Sequence, residues 1–274
     1  MTFITAEIGI NANGSVDLAR KLIDAAKWAG CDAVKFQKRT IEIVYKGQLD
    51  QPRESPWGTT VGDQKRGLEF NMWEYDGIAA YCDSIKMPWY ASAWDIPSLE
   101  FLIKYDCPWN KIASAMATNV EFVHAVGMEG KETFLSTGLC REFDIENAIL
   151  SYGNTSNLTL MHCVGTYPAK EDDLNLSLIP ILKAKYGLPV GYSGHEASVS
   201  PSVVAVALGA IAIERHITLD RSMYGSDQAA SLEPHGFREM VNMIRKIPEI
   251  LGDGVKRIIE AEKPIAKKLR YWAA

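Results

Sequence analysis

The most constraining feature of this 274-residue chain is an alternation that repeats eight times. A short run rich in β-branched residues is followed each time by a segment whose apolar residues recur with helical spacing. The predicted strands cover residues 4–8, 33–36, 89–91, 111–113, 133–135, 158–161, 190–192 and 211–214, and the predicted helices cover 16–28, 71–84, 98–104, 120–126, 145–150, 176–186, 203–208 and 236–251. Eight such units predict a closed (β/α)8 barrel, the TIM-barrel fold. An open doubly wound sheet is the alternative, but it would need fewer units or a break in composition.

No break in composition divides the chain, so we expect a single barrel domain over residues 1–274. The stretch 38–68 is rich in proline and glycine and is expected to be one long loop. A content of 47% hydrophobic residues supplies a large core. The formal net charge of -5 argues against nucleic acid as a partner, because such binding depends on a basic surface.

The five cysteines and the apolar runs bear on location. The cysteines stand at positions 31, 82, 107, 140 and 163 without a CxxC pair, which favours a reducing compartment and a cytoplasmic protein. The chain opens directly on a strand-like run, so we expect no secretory signal. The longest apolar stretches, such as 203–213, are too short to span a membrane.

In a TIM barrel the active-site residues lie at the carboxyl ends of the strands. Strand alternation points Lys35 and Gln37 into the barrel, and Lys111 on the fourth strand is expected to point inward too. Two inward lysines would make the mouth cationic and suited to a phosphate and a carboxylate. An internal ion pair between Lys35 and Glu7 is the structural alternative, since a buried lysine needs an anionic partner.

Hydroxyl groups follow several successive strands. They belong to Ser92, Ser114, Ser136 and Thr137, and the Ser136-Thr137-Gly138 run could also offer backbone N–H groups to an anion. Each serine alone is more often structural. Their coincidence with the two lysines favours an anion-binding cradle.

Two histidines stand at neighbouring strand ends, His195 after the seventh strand and His216 after the eighth. Together they suit a divalent-metal site with open positions, although a single histidine at a strand end is more often structural. Asp227, in a loop over the same mouth, could bind sugar hydroxyls or simply form a turn. On the sixth strand we expect His162 to be a core histidine and Cys163 a buried thiol.

The order of these motifs resembles that of the sialic acid synthases over almost the whole chain. The matching blocks are AEIG at 6–9, NANG at 11–14, KFQK at 35–38, KIAS at 111–114, LSTG at 135–138, HC with YP at 162–168, GYSGHE at 191–196, ERHITLD at 214–220 and GSD at 225–227. The resemblance implies a barrel that joins phosphoenolpyruvate to an amino-sugar aldehyde, N-acetylmannosamine or similar. The products would be a nonulosonic acid and phosphate.

The resemblance also implies a role for each matching residue. His195 and His216 would hold Mn²⁺ or Mg²⁺, and Glu7 and His216 would be catalytic. Phosphoenolpyruvate would bind to Lys35, Lys111, Ser92, Ser114, Ser136 and Ser193, and the sugar would contact Glu7, Gln37, Tyr167 and Asp227. Because relatives form dimers, the resemblance also implies a homodimer.

Four features depart from the family pattern. Ala12 replaces a usual histidine, Met116 replaces an acidic residue found in many members, and Gly165 replaces a serine or asparagine. We also expect the chain to lack the family's C-terminal antifreeze-like domain, which supplies an arginine that binds the N-acyl group. Two alternatives therefore stay open: the same chemistry on another aldose, or a barrel that has lost catalysis and binds a sugar or phosphate as a scaffold.

Overall fold

The computed structural model describes residues 1–272, and these form a closed barrel of eight parallel strands. The barrel strands are β1 Phe3–Glu7, β2 Ala33–Lys38, β5 Trp89–Ala93, β6 Trp109–Ile112, β7 Glu132–Ser136, β8 Leu158–Cys163, β9 Val190–Gly194 and β10 Ala212–His216. The ring closes where β1 pairs with β10, from Phe3 opposite Ala212 to Glu7 opposite His216. The predicted TIM barrel and all eight predicted strands are confirmed.

Helices surround the barrel and connect its strands. Their bounds are α1 Val16–Ala29, α2 Ile41–Val44, α3 Val61–Leu68, α4 Met72–Ile85, α5 Ile96–Ile103, α6 Val120–Met128, α7 Glu142–Tyr152, α8 Leu178–Tyr186, α9 Ser200–Ala207, α10 Pro234–Leu251 and α11 Lys263–Leu269. Local sequence fixes their ends: Ser15 caps α1 by accepting from the Leu18 N–H, and Gly30 ends it in the left-handed conformation. None of the helices in the described part is long and apolar enough to cross a membrane.

The segment between β2 and α4 is not the continuous loop that the sequence predicts. It contains α2, α3 and an antiparallel hairpin of β3 Pro52–Ser55 and β4 Gly58–Thr60. A capping box between Thr60 and Asp63 starts α3. These elements are too short to give a periodic pattern, which is why the prediction was wrong. The Gln64 side chain donates to the Tyr224 hydroxyl at 2.7 Å, so the segment is tied to the loop after β10.

The barrel interior has two different layers. At the amino-terminal end Phe3 stacks on Phe134 with ring centroids 5.6 Å apart, and Tyr90 packs against Trp109 at 5.7 Å. The Tyr90 hydroxyl is hydrogen bonded to Thr5 at 3.0 Å, just above these rings. Above this layer the inward side chains become charged or hydroxylic. The aromatic layer therefore closes the bottom, and polar chemistry is confined to the carboxyl-terminal mouth.

Candidate active site

One pocket at the mouth collects nearly all of the residues that the sequence singles out. It is lined by Glu7, Lys35, Gln37, Ser92, Lys111, Ser114, Ser136, Tyr167, Ser193, His195 and His216. Asp227 does not line this pocket, but its Oδ2 lies 3.7 Å from His216 Nδ1. Thr137 is not among the lining residues either: its hydroxyl donates to the Met161 carbonyl at 3.1 Å and has a structural role.

Two lysines and two carboxylates form a buried cluster at the centre of the pocket. Lys35 Nζ lies 2.7 Å from Glu7 Oε2 and 3.6 Å from Glu214 Oε1, and Lys111 Nζ lies 3.8 Å from the same Glu214 oxygen. The expectation of a positively charged mouth is therefore wrong, because the formal charges of these four groups sum to zero. The alternative, an ion pair between Lys35 and Glu7, is present, and both residues line the pocket.

The two lysines are not equivalent. Lys35 donates to Ser92 Oγ at 2.9 Å and is ion paired at close range with Glu7. Lys111 donates to Ser136 Oγ at 2.6 Å and to the Ile112 carbonyl at 3.3 Å, and its nearest carboxylate stands off at 3.8 Å. Lys111 is thus the ammonium with the weaker anionic compensation, and it is the better placed to accept an anionic ligand.

Burial and charge pull the pKa values of these groups in different directions. Burial acts to lower the pKa of Lys35, but the charges of Glu214 and Glu7 outweigh it and raise the pKa. The pKa of Lys111 is lowered, because burial dominates over the attraction of Glu214. Burial acts to raise the pKa of Glu214, but Lys111 and Lys35 outweigh it and lower the pKa, so Glu214 is a carboxylate at neutral pH.

A glycine makes room for the carboxylate of Glu7. Gln37 Nε2 donates to Glu7 Oε1 at 2.7 Å and fixes the carboxylate over the pocket. A Cβ at Gly9 would lie 2.7 Å from this oxygen and 3.0 Å from the amide nitrogen, and Gly9 has a φ of 49°. Both the space and the backbone conformation require glycine here.

The imidazoles of His195 and His216 face each other across the mouth, with ring centroids 5.5 Å apart. His195 Nδ1 lies 2.7 Å from the Val164 carbonyl, which can only accept, so Nδ1 carries the proton and Nε2 keeps a lone pair. Burial first, and His216 second, lower the pKa of His195 to about 3, so the ring is neutral at physiological pH. The Tyr167 ring packs 3.9 Å from the His195 ring.

This pair fits the cation that the family resemblance implies. His216 Nδ1 is buried and has no hydrogen-bond partner within residues 1–272, as expected for a nitrogen that needs a ligand. The described residues contain no cluster of three or more histidine, cysteine or acidic side chains arranged to hold a metal. Two imidazoles with a nearby carboxylate, Asp227, match a cation that keeps several positions open for water or substrate.

Three of the serines are hydrogen bonded to the buried lysines or to Glu214. Ser193 donates to Glu214 Oε1 at 3.3 Å, while Ser92 and Ser136 accept from the lysines. Ser114 begins a short 3-10 turn after β6, and its Oγ lies 2.8 Å from the point where a Cβ at Gly138 would stand. Of the hydroxyls predicted from successive strand ends, those of Ser92, Ser114 and Ser136 line the pocket, and that of Thr137 does not.

Glu214 is the site residue that sequence reasoning missed. The signal was available, since Ala212, Glu214 and His216 share one face of β10 by simple alternation. Two further assignments are confirmed: His162 and Cys163 are both buried, and Cys163 also lines the pocket. His162 donates from Nε2 to the Leu174 carbonyl at 2.7 Å, and burial raises the pKa of the Cys163 thiol.

The departures from the family pattern lie at different places. Met116 does not line the active-site pocket and borders a separate hollow that also contains Ile43 and Phe122. Ala12 is buried in the core. Gly165 lines the pocket itself, and a Cβ there would lie 2.7 Å from Leu139 Cδ2. Only the change at Gly165 therefore bears directly on the pocket.

These features define a TIM-barrel enzyme whose mouth places buried lysines beside a pair of metal-competent imidazoles. The NeuB family model matches residues 22–256 of this chain. The N-acetylneuraminate-9-phosphate synthase of Mus musculus is 35% identical over 273 residues, with 97% of this chain and 76% of that protein covered. The N,N'-diacetyllegionaminic acid synthase of Legionella pneumophila is 33% identical over 278 residues and covers 98% of this chain and 78% of that protein.

A solved structure of a similar protein also superposes on this chain. The N-acetylneuraminic acid (sialic acid) synthetase of Leptospira borgpetersenii, in complex with citrate, superposes with a TM-score of 0.86 at 31% identity. The match covers 98% of this chain and 93% of that one. The chain belongs to the NeuB family, and the resemblance inferred from its motifs is confirmed.

Proposed function

We propose that the protein condenses phosphoenolpyruvate with the aldehyde of an N-acylhexosamine, N-acetylmannosamine or similar, to give a nonulosonic acid and phosphate. The observation that carries the proposal is a single pocket that holds Lys35 and Lys111 opposite His195 and His216. The relatives that are named as synthases of N-acetylneuraminate 9-phosphate and N,N'-diacetyllegionaminic acid support the same assignment.

Phosphoenolpyruvate is the substrate that the lysine side of the pocket suits. Its phosphate and carboxylate need several donors close together, and Lys111, Ser114 and Ser136 supply them at the ends of neighbouring strands. Within residues 1–272 the carboxylate nearest to Lys111 is that of Glu214, at 3.8 Å, so an incoming anion competes only weakly with it. Lys35, held by Glu7, supplies the second positive charge at a fixed position.

The imidazole side suits the acceptor. His195 and His216 would hold Mn²⁺ or Mg²⁺, and nitrogen donors favour Mn²⁺ because Mg²⁺ prefers oxygen ligands. Such a cation would supply Lewis-acid polarisation of the acceptor carbonyl. Gln37, Tyr167 and Asp227 lie near this side and would bind the sugar hydroxyls.

The reaction requires the enol carbon C3 of phosphoenolpyruvate to bond to the aldehyde carbon, whose oxygen then gains a proton. Positive charge develops at C2 and is stabilised by the buried carboxylates of Glu7 and Glu214. Water adds to C2, and cleavage of the C2–O bond releases phosphate and leaves the 2-keto acid. The pocket contributes mainly by holding both substrates in reactive orientation.

The scaffold alternative rested on Met116, Ala12 and the expected absence of the C-terminal domain. Met116 and Ala12 do not line the active-site pocket, so neither departure from the family pattern removes a group that contacts it. The pocket contains two carboxylates, those of Glu7 and Glu214. An acceptor other than N-acetylmannosamine stays the alternative, because Gly165, which departs from the family pattern, lines the pocket next to Leu139.

The test is phosphate release from phosphoenolpyruvate with a panel of aldoses, in the presence and absence of Mn²⁺. We expect release only when both an N-acylhexosamine and the cation are present. The variant Lys111→Met should strongly reduce release at limiting phosphoenolpyruvate, and Lys104→Met, in an exposed ion pair on the outer surface, should not. Release with a different aldose would change the substrate, and no release with any aldose would contradict the proposal.

We further propose a cytoplasmic location, a single functional barrel and a homodimer. The five cysteines are free, which fits a reducing compartment. Turnover by residues 1–274 tests whether the barrel is active by itself. Sedimentation equilibrium tests the dimer.

A further inference from the structure

A second buried charged cluster lies on the outer face of β9 and β10. It consists of Tyr192, Glu196, Ser202 and Arg215, all of which are almost completely buried. None of them lines the active-site pocket. Burying an ion pair costs desolvation energy that the attraction often fails to return, and apolar packing of the same volume is frequently as stable. Fold stability alone therefore does not account for these charges.

The Arg215 guanidinium is the centre of the cluster. Its Nη1 lies 2.8 Å from Glu196 Oε1 and donates to the Ser198 carbonyl at 3.0 Å and to Ser202 Oγ at 2.9 Å. Its Nη2 donates to the main-chain carbonyl of Glu196. The Tyr192 hydroxyl donates to the second carboxylate oxygen of Glu196 at 2.7 Å. One side chain of β10 thus binds both the side chain and the backbone of the segment after β9.

This connection begins where the backbone pairing stops. The ladder between β9 and β10 ends at the pair of Gly194 and Arg215. His195 and His216 each come one residue later, so no ladder pair fixes the distance between them. Arg215 directly precedes His216, and Glu196 directly follows His195. The ion pair therefore joins the two backbones on either side of the imidazoles.

Gly194 is part of the same arrangement. A Cβ at this position would lie 2.6 Å from Glu196 Oε2 and 2.7 Å from Tyr192 Cε1. The missing side chain makes room for the carboxylate to turn back toward the guanidinium. Any larger residue would displace Glu196 from Arg215.

We infer that Glu196 and Arg215 are positioning residues that hold His195 and His216 at the separation required for a divalent cation. His195 is also held from its other side by the Val164 carbonyl, at 2.7 Å. The inference rests on the proposed function, because it takes the two imidazoles as the cation site. It adds that the affinity of this site is set by charges that touch neither cation nor substrate.

The experiment is a titration with Mn²⁺ alone, without substrates, in which electron paramagnetic resonance measures the free ion. The variant Glu196→Met/Arg215→Met removes both charges together, so it leaves no unpaired buried ion and should fold. We expect its Kd for Mn²⁺ to rise about 10–100-fold, the range typical of residues that orient metal ligands. Arg215→Lys, which keeps the charge but loses the forked geometry, should give a smaller rise, and saturating Mn²⁺ should restore most of its kcat.

The chain offers a matched control at the opposite end of the barrel. Arg245 Nη2 donates to both carboxylate oxygens of Asp32, at 2.7 and 2.8 Å, and Nη1 donates to the Thr2 carbonyl. Replacing this pair by Asp32→Met/Arg245→Met should alter thermal unfolding without changing the Kd for Mn²⁺.

Two outcomes would overturn the inference. One is a folded double variant of Glu196 and Arg215 that binds Mn²⁺ as the wild type does; if that variant does not fold, an unchanged Kd in Arg215→Lys decides in the same way. The other is a wild-type chain that releases phosphate but binds no Mn²⁺, which would leave the synthase proposal intact. Conversely, Mn²⁺ binding that depends on Glu196 and Arg215 in a chain without turnover would uphold the inference and contradict the synthase proposal.

Discussion

The two faces of β10 carry two buried charge clusters, which differ in how much hydrogen-bonding capacity they leave for a ligand. On the inner face Glu214 lies 3.6 Å from Lys35 and 3.8 Å from Lys111, beyond hydrogen-bond range, in a pocket that opens at the mouth. On the outer face Arg215 makes close contacts with Glu196 and its neighbours, outside that pocket. Loose pairing leaves hydrogen-bonding capacity for a ligand, whereas tight pairing fixes the backbone. Neighbouring residues of one strand thus serve binding and positioning.

The largest effect is expected at His216, which follows Glu214 and Arg215 on β10. His216→Ala removes one of the two imidazoles, and we expect kcat to fall about 10³-fold or more, since Lewis-acid stabilisation contributes several kcal/mol. Steady-state phosphate release measures this loss. Circular dichroism should show an intact fold, and retained Mn²⁺-dependent turnover would remove the metal assignment.

Within the inner cluster the two lysines should separate activity from stability. Lys111→Met should lower kcat/KM about 10²–10³-fold, mainly through KM for phosphoenolpyruvate, with little loss of stability, because Glu214 keeps Lys35 as a partner. Lys35→Met leaves Glu7 without its close cation and should also cost about 3–5 kcal/mol of unfolding free energy. Urea unfolding and phosphate release, measured on both variants, check the contrast. Equal stability losses would contradict the difference drawn between the two lysines.

In the outer cluster the size of the stability loss should depend on whether one charge or both are removed. Glu196→Met alone leaves Arg215 buried without its carboxylate and should destabilise the protein by about 3–5 kcal/mol. The double variant with Arg215→Met should recover most of this loss. Thermal unfolding of the two variants gives the comparison, and additive losses would show that the pair does not act as a unit.

The pH dependence should reveal Lys111. Its pKa is lowered from 10.5 by burial, so the native state releases this proton at a lower pH than the unfolded chain does. In the window between the two pKa values the unfolded state binds more protons, so this group makes the protein more stable as pH rises there. Phosphoenolpyruvate binding should weaken over the same window, because the ammonium is lost. The alkaline limb of kcat/KM measures this, and it should be absent from Lys111→Met.

The smallest effect is expected at Met116. Its side chain lies outside the pocket, so Met116→Gln should leave kcat/KM nearly unchanged and alter stability by less than about 1 kcal/mol. Phosphate release and thermal unfolding check both statements. A large gain in activity would show that position 116 acts on the reaction despite its placement.

The sequence predicts this molecule best where one strong local pattern repeats. The eight strand and helix units were identified from periodicity, and the fold then brought eleven of the twelve proposed site residues to one pocket. The hairpin of β3 and β4 was missed because its strands have only four and three residues. The contribution of Glu214 to the charge balance was missed because it depends on the closure of the barrel, in which β10 pairs with β1 and Glu214 comes within 3.6 Å of Lys35.

The most direct test of the account is a crystal structure with phosphoenolpyruvate and Mn²⁺, in which anomalous scattering locates the metal. We expect Mn²⁺ between the imidazoles of His195 and His216 and the substrate's anionic groups within hydrogen-bond distance of Lys111 Nζ. Phosphoenolpyruvate bound away from Lys111, or Mn²⁺ at any other position, would contradict it.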